Sequence, residues 1–162
     1  MRQEFLRLAV YLPVDEASQG SGLAVASDPA VQEIMRVIRG FGFAGSVGTY
    51  RAVAQISGAA DTFTPTADSA PVHGTADIAS TVASARIVTY VPAATPAGDV
   101  DRLIAALVSA HPWEHPLVEV DRVSLWMPSP PASAAAPQGD DGAAETGGGS
   151  QGAESSGLGG PA

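Results

Sequence analysis

The alternation of apolar and polar residues along the chain predicts four β-strands. The four segments with this pattern are residues 5–12, 46–57, 81–91 and 117–126. Pro13 closes the first strand. The polar, Gly/Ser-rich stretch 15–28 is predicted to be a loop. Residues 61–64 are expected to extend a hairpin from the second strand, and 65–74 to form another loop.

Two segments have apolar residues at helical spacing. The first helix is predicted to begin with Asp28 as N-cap and Pro29 at its first position, and to end at Gly40 and Gly42. The second begins at residues 95–96. The apolar faces are expected to consist of Val31, Ile34, Met35, Ile38 and Phe41 in the first helix, and of Val100, Leu103, Ile104, Leu107 and Val108 in the second.

The order strand, helix, strand, strand, helix, strand predicts an α+β fold, the ferredoxin-like βαββαβ sandwich with an antiparallel sheet. Two helices can cover only one face of a four-stranded sheet. The other face is then open or packs on another subunit, so the pattern favours a homo-oligomer.

The composition of the chain changes near Pro128. Residues 128–162 contain one large aliphatic residue, Leu158, and neither aromatic nor basic residues. Such a segment buries too little apolar surface to offset its ordering entropy, and is predicted to be a disordered Gly/Ala/Ser/Pro-rich acidic tail. The folded domain is therefore expected to span residues 1–127.

The net charge of −9 and the absence of lysine bear on the choice of partners. No basic run is available to neutralise phosphates, which argues against nucleic acids and anionic membrane surfaces. The absence of cysteine excludes disulfides and thiolate chemistry. Neither a signal peptide nor an apolar stretch of about 20 residues is present, so a cytoplasmic location is expected.

The segment HPWEHP, residues 111–116, contains two of the three histidines and fits the H-x-x-E-H zinc pattern. That pattern requires a helix, whereas Pro112 and Pro116 push the preceding histidines out of helical conformation. In an extended segment His111 and His115 lie about 13 Å apart, too far to share one ion unless the chain turns sharply.

Two interpretations of HPWEHP remain. In the first, a divalent metal ion is held by His111, Glu114 and His115, with His73 joining them. In the second, the segment is a shaped connection. His111 then meets unpaired carbonyls at the helix end, Glu114 accepts a hydrogen bond from a backbone N–H or an arginine, and three residues have structural or interface roles. These are Pro112, which stops the helix, Trp113, which covers the core edge or a seam between subunits, and Pro116, which leads into the last strand.

Several of these segments resemble the Nif-three-like family, the GTP cyclohydrolase type-two homologues, and specifically the YqfO-type domain inserted in it. The matching segments are RIVTYVP, HPWEHP, Gly48-Thr49-Tyr50, Thr62-Phe63-Thr64-Pro65 and Pro71-Val72-His73-Gly74. The resemblance implies a ferredoxin-like subunit similar in fold to CutA and PII proteins, in a homotrimer or another homo-oligomer.

The chain departs from the family pattern in ways that affect function. The family's dinuclear metal ligands belong to a core domain that flanks the insertion, and these residues have no counterpart here. Ser84 and Val88 replace family acids, and His115 replaces a glutamate. We therefore expect a non-enzymatic oligomeric module that binds a small ligand, an ion or a protein partner. The alternatives are a divalent-metal-binding protein and, behind it, a metal-dependent hydrolase.

Overall fold

The computed structural model describes residues 1–19 and 22–128. In this part of the chain the strands are β1 (Arg2–Pro13), β2 (Ala54–Phe63), β3 (Ser80–Pro92) and β4 (Leu117–Trp126). The α-helices are α1 (Gly22–Ala26), α2 (Pro29–Gly40) and α3 (Ala97–Ala110). The predicted disordered tail, apart from Pro128, lies outside the described residues.

The strands form one antiparallel sheet in the order β2-β3-β1-β4. Each βαβ crossover skips one position in the sheet, so that β1 and β3 lie side by side in the centre and β2 and β4 form the edges. This is the ferredoxin-like arrangement, and it confirms the α+β prediction.

The core lies between one face of the sheet and the helices. From β1 it receives Leu8, Val10 and Leu12, from α2 Ile34 and Ile38, and from α3 Leu103 and Leu107, all 0 % exposed. The apolar face predicted for α3 is too wide, because Val108 is 42 % exposed. Val108 directly follows the buried Leu107, and one residue of α-helix rotates the side chain by about 100°.

The prediction that 15–28 is only a loop is wrong. The stretch contains a 3₁₀ turn at Glu16–Ser18 and the short helix α1. Val25 of α1 is 2 % exposed and joins the core. A Cβ added to Gly58 of β2 would lie 3.4 Å from the Val25 side chain, so the small residue in the strand makes room for the helix. Sequence patterns miss such a helix because five residues are too few for periodicity to be visible.

Asp28 holds this stretch against the start of α2. Its side chain caps α2 by accepting a hydrogen bond from the N–H of Ala30 (2.8 Å), as the sequence predicts. It also accepts hydrogen bonds from the N–H of Asp15 (2.9 Å) and the hydroxyl of Ser18 (2.9 Å). Burial alone would raise the pKa of the Asp28 carboxyl, but these hydrogen bonds outweigh burial and lower the pKa.

The second strand begins later than the predicted residue 46. The N–H of Gly45 donates to the carbonyl of Tyr90 (2.7 Å), and the N–H of Val53 donates to the carbonyl of Gly45 (3.0 Å). The residues between them leave the sheet in a turn, and Ala52 has a positive φ of 52°. A Cβ on Gly45 would lie 2.4 Å from the Val53 nitrogen, so only glycine permits this close approach.

Candidate functional site

The HPWEHP segment begins where α3 ends. His111 is the C-cap residue and has extended backbone angles, as expected for a residue before proline. Its side chain is buried and does not meet the helix carbonyls, contrary to the structural interpretation of the sequence. Instead, Nε2–H donates to the carbonyl of Tyr11 in β1 (2.5 Å), while Nδ1 accepts from the N–H of Trp113 (3.0 Å).

These two hydrogen bonds define the protonation state and the tautomer of the His111 imidazole. Nδ1 must be unprotonated to accept from Trp113, and Nε2 carries the hydrogen, so His111 is the neutral Nε2–H tautomer. Burial lowers the pKa of His111, an effect that the hydrogen bond to Tyr11 partly opposes. Both ring nitrogens are engaged, and metal ligation by His111 would therefore require one of the bonds to break.

Trp113 connects the two edges of the sheet. Its ring contacts the Phe63 ring edge-on, with centroids 6.4 Å apart, and the His111 ring at 5.5 Å. Phe63 ends β2, whereas Trp113 lies four residues before the start of β4. The ring pair thus joins structure at opposite edges of the sheet, at the end where β1 finishes and β3 starts.

The loop 64–79 reaches the same place. The N–H of Ala70 donates to Oε2 of Glu114 (3.0 Å), which fixes the loop to the HPWEHP segment. The loop returns to β3 through Gly74, which has a φ of 89°. A Cβ at Gly74 would lie 2.8 Å from the Ser80 hydroxyl, so both the backbone angle and the packing favour glycine.

A cavity of about 340 Å³ lies between this loop, the end of β2 and the HPWEHP segment. Its apolar lining consists of Phe63, Pro65, Pro71, Val72, Trp113 and Leu117. Its charged and imidazole lining consists of Asp61, His73, Glu114 and His115. Three segments singled out by the sequence, at 62–65, 71–74 and 111–116, therefore meet around one cavity, although the third is about 40 residues from the other two along the chain.

The four residues proposed as metal ligands are not assembled as one set. His73, Glu114 and His115 line the cavity, whereas His111 is committed to its two hydrogen bonds. Glu114 Oε1 lies 3.8 Å from Nε2 of His115, whose side chain is 88 % exposed. Among residues 1–19 and 22–128, no group of three or more His, Cys, Asp or Glu side chains is placed to hold a metal ion.

Asp61 is a cavity residue that sequence reasoning missed. Its Oδ2 atom is buried and has no hydrogen-bond partner within the described residues. The only sequence signal was a single carboxylate near the end of a strand made largely of small and polar residues. Phe63 and Leu117 were also missed as site residues, because each is an ordinary strand position until the fold brings the three segments together.

A second cavity, of about 670 Å³, shares His73 with the first. The rest of its lining includes small residues of β2 and β3 together with Asp15 and Glu16, and no aromatic side chain. It also borders Gln19, which adjoins the undescribed residues 20–21. The smaller cavity, with its complete aromatic and charged wall, is therefore the better candidate site.

The sheet face opposite the helices, which we call the second face, ends at this cavity. Arg7 forms an ion pair with Asp121 across β1 and β4, with 2.5 Å between Nη2 and Oδ2. Arg86 donates to the Tyr11 hydroxyl (3.0 Å) and lies over the Tyr11 ring, 5.6 Å from its centroid. Phe5, on the same face, is only 3 % exposed, so side chains of the strands themselves cover much of this surface.

The edge strand β4 carries large apolar side chains in solvent. Leu117 is 61 %, Val120 44 % and Trp126 82 % exposed. Within the described residues, no strand pairs with the outer edge of β4. An uncovered edge with exposed apolar residues is a surface on which another chain can pair.

Comparison with known proteins supports the fold. No family model and no curated protein matches the chain. A solved structure of a Bacillus cereus protein related to NIF3 matches 76 % of this chain with 23 % identity and a TM-score of 0.53. This chain has the fold of that region. The match covers 26 % of the Bacillus cereus chain, so this chain spans about a quarter of its length, and the similarity concerns the fold alone.

A second solved structure, the divalent ion tolerance protein CutA1 from Ehrlichia chaffeensis, matches 78 % of this chain and 86 % of its own, with 11 % identity and a TM-score of 0.44. None of the helices described in residues 1–19 and 22–128 has the length and apolar character needed to cross a membrane.

Proposed function

We propose that the chain is a non-enzymatic binding module that acts as a homo-oligomer and takes a small ligand in the cavity beside HPWEHP. The main support for this proposal is that the HPWEHP segment and the remote stretch 61–73 converge on one cavity of about 340 Å³. A volume near the lower end of the range for ligand sites, a mainly apolar wall and a few polar groups are typical of small-molecule binding.

Two residues of the HPWEHP segment, His111 and Glu114, are engaged in structural hydrogen bonds, which favours a structural over a catalytic role for these two residues. A general base needs a free nitrogen or oxygen within reach of the reacting group. The one buried histidine, His111, uses both nitrogens to hold the segment against β1. Glu114 is also partly committed, because its Oε2 accepts the hydrogen bond that anchors the loop. These contacts give the cavity a defined shape, which a binding site requires.

The exposed residues of β4 support the homo-oligomer part of the proposal. Val120 and Trp126 project from the uncovered edge strand, where a second copy of the chain would bury them. The test is light scattering of the full chain. For the wild type at micromolar concentration we expect a mass of two or more times the 16.3 kDa of one chain. If the wild type is a monomer under these conditions, the proposal that the chain acts as a homo-oligomer is wrong.

Lysine substitutions locate the interface. Val120→Lys and Trp126→Lys are expected to shift the mass toward the monomer, because charge on an edge strand opposes pairing. Leu23→Lys is the matched control, since Leu23 is an 83 % exposed apolar residue on α1. Equal dissociation by the control would show that the effect does not come from the β4 edge.

Ligand binding is tested with a library of small fragments by ligand-observed NMR on the full chain. Trp113→Ala removes an aromatic wall of the cavity and should abolish the binding of fragments that occupy it. Tyr50→Ala changes another aromatic residue, which is 73 % exposed and does not line the cavity, and should leave their binding intact. If no fragment distinguishes the two variants, the cavity is not the binding site.

Divalent-metal binding is a second candidate, favoured by the presence of His73, Glu114 and His115 on the wall of one cavity. Side chains would have to rearrange to complete a ligand set, because no group of three or more His, Cys, Asp or Glu in the described part of the chain is placed to hold an ion. Metal analysis of the purified full chain and of the His73→Ala and His115→Ala variants tests it. Stoichiometric metal that is lost in both variants would favour this candidate over the first.

A further inference from the structure

We infer that the ligand of this cavity is a small organic cation with an apolar body, such as a quaternary ammonium compound or an amine. The inference rests on the proposed function of the cavity and adds the chemical class of its ligand. Its starting point is the distribution of charge. Two carboxylates, of Asp61 and Glu114, line the cavity, and no arginine does so. Since the chain has no lysine, none of the described residues that line the cavity has a permanently cationic side chain.

One of the two negative charges in the cavity wall belongs to the carboxylate of Asp61. Its Oδ2 atom is shielded from solvent and accepts no hydrogen bond from the described residues. A buried carboxylate oxygen without a partner is unfavourable, and native structures leave few such atoms unexplained. A cationic group in the cavity would offset this charge through space, without direct contact with the shielded oxygen.

The apolar part of the wall selects the kind of cation. Phe63 and Trp113 meet there edge to face, and Val72 and Leu117 add aliphatic surface. Aromatic rings attract cations through their quadrupole, and tryptophan does so most strongly. Alkylated ammonium groups combine this attraction with burial of their methyl groups, as in known quaternary ammonium sites.

A metal ion fits the same wall less well. Hard cations such as Ca²⁺ require about six to eight oxygen ligands, and Zn²⁺ requires close, tetrahedral nitrogen or oxygen donors. No such group of three or more His, Cys, Asp or Glu side chains is assembled in the described part of the chain. An organic cation needs only the two carboxylates and the π faces.

Three probes of one shape separate the effect of charge from the effect of apolar contact. They are choline, its neutral isostere 3,3-dimethylbutan-1-ol, and the anion 3,3-dimethylbutanoate. The readout is the indole N–H signal of each tryptophan in ¹H–¹⁵N NMR spectra of the full chain. Choline should shift the Trp113 signal and leave Trp126 unchanged. It should bind about tenfold or more tightly than the neutral isostere, and the anion should not bind.

Neutral variants test the two carboxylates. Asp61→Asn and Glu114→Gln should each weaken choline binding and leave binding of the neutral isostere nearly unchanged. Asp77→Asn is the matched control, because Asp77 belongs to the loop 64–79 but does not line the cavity. An equal loss in the control would mean that only the net charge of the chain matters, and would overturn the inference.

The outcomes separate the ligand class from the function of the cavity. Equal shifts of Trp113 by choline and by the neutral isostere would refute the cationic ligand and leave the cavity as a binding site. A response of His73 and His115 to Zn²⁺ with no response to choline would refute it in favour of metal. If none of the probes shifts Trp113, the inference fails, and the fragment library decides the proposed function independently.

Discussion

The two faces of the sheet differ in how they are completed. On the face that the helices cover, Leu8, Ile34 and Leu103 are fully buried against one another. On the second face, charged and aromatic side chains lie among apolar ones. The three buried polar atoms without a partner in the described residues, in Arg7, Asp61 and Ser84, belong to strand positions on this second face.

The two faces of the sheet therefore differ in function: one stabilises the fold, and the other carries the groups of the proposed binding site. The covered face supplies the free energy of folding through burial of apolar surface. The second face is thereby free to carry groups that are unfavourable in isolation, and such groups are common at binding sites. Substitutions of the same kind on the two faces should therefore differ in their effect on stability.

The largest effect is expected for Leu103→Ala in α3. Leu103 is 0 % exposed, so the substitution removes buried methyl groups and leaves a cavity, at a cost of about 3–4 kcal/mol in the free energy of unfolding. Leu117→Ala is the same change at a residue that is 61 % exposed, and should cost less than about 1 kcal/mol. Denaturant unfolding measures both free energies. Equal costs would show that the two faces of the sheet do not differ in their contribution to stability.

Asp28→Ala should destabilise by about 2–3 kcal/mol at neutral pH, because it removes a helix cap and two further hydrogen bonds to a carboxylate. The folded pKa of Asp28 is lowered, so its contribution is fully present above its ordinary pKa of 3.8 and is lost as the pH falls through the lowered value. Unfolding curves at several pH values should show the wild type and the variant converging in acid. A constant gap down to low pH would argue against a charged Asp28.

His111→Gln should cost about 1–2 kcal/mol at neutral pH, since glutamine cannot reproduce both hydrogen bonds of the ring. The folded pKa of His111 is lowered, so the unfolded chain takes up a proton more readily. Stability should therefore fall as the pH drops below about 6.5, the ordinary value, and level off below the lowered pKa. The variant should lack this decrease; if it keeps the decrease, another group is responsible.

The smallest effect is expected for Asp121→Asn on the second face. The Arg7–Asp121 ion pair is partly exposed, with side-chain exposures of 35 % and 52 %. Such exposed pairs contribute little to stability, and screening by salt should reduce the difference from wild type further. A cost approaching that of Leu103→Ala would show that the second face is as important for folding as the covered face.

Local sequence patterns were sufficient for most of the fold. Alternation gives β1, β3 and β4 within a few residues of their bounds, and the Asp28-Pro29 pair gives the start of α2. The second strand was predicted to start too early. Its start depends on hydrogen bonds from Gly45 and Val53 to other parts of the chain, and the periodicity of the sequence gives no information about them. The short helix α1 depends in the same way on contacts with the sheet.

The site was less predictable than the fold. The motifs pointed to HPWEHP and His73, both of which reach the cavity or its support. The role of His111 could not be foreseen, because its partner Tyr11 is 100 residues away in the sequence. Asp61 depends on tertiary structure to an even greater degree, since only the assembled cavity distinguishes it from an ordinary strand carboxylate.

Intermolecular NOEs, measured on the full chain in the presence of choline, test directly whether the three segments form one site for an organic cation. We predict NOEs from the ligand methyl protons to the ring of Trp113, to the ring of Phe63 and to the methyl groups of Val72, one from each of the three segments that form the cavity. Contacts with Trp126 in place of these, or with only one of the three segments, would contradict the account.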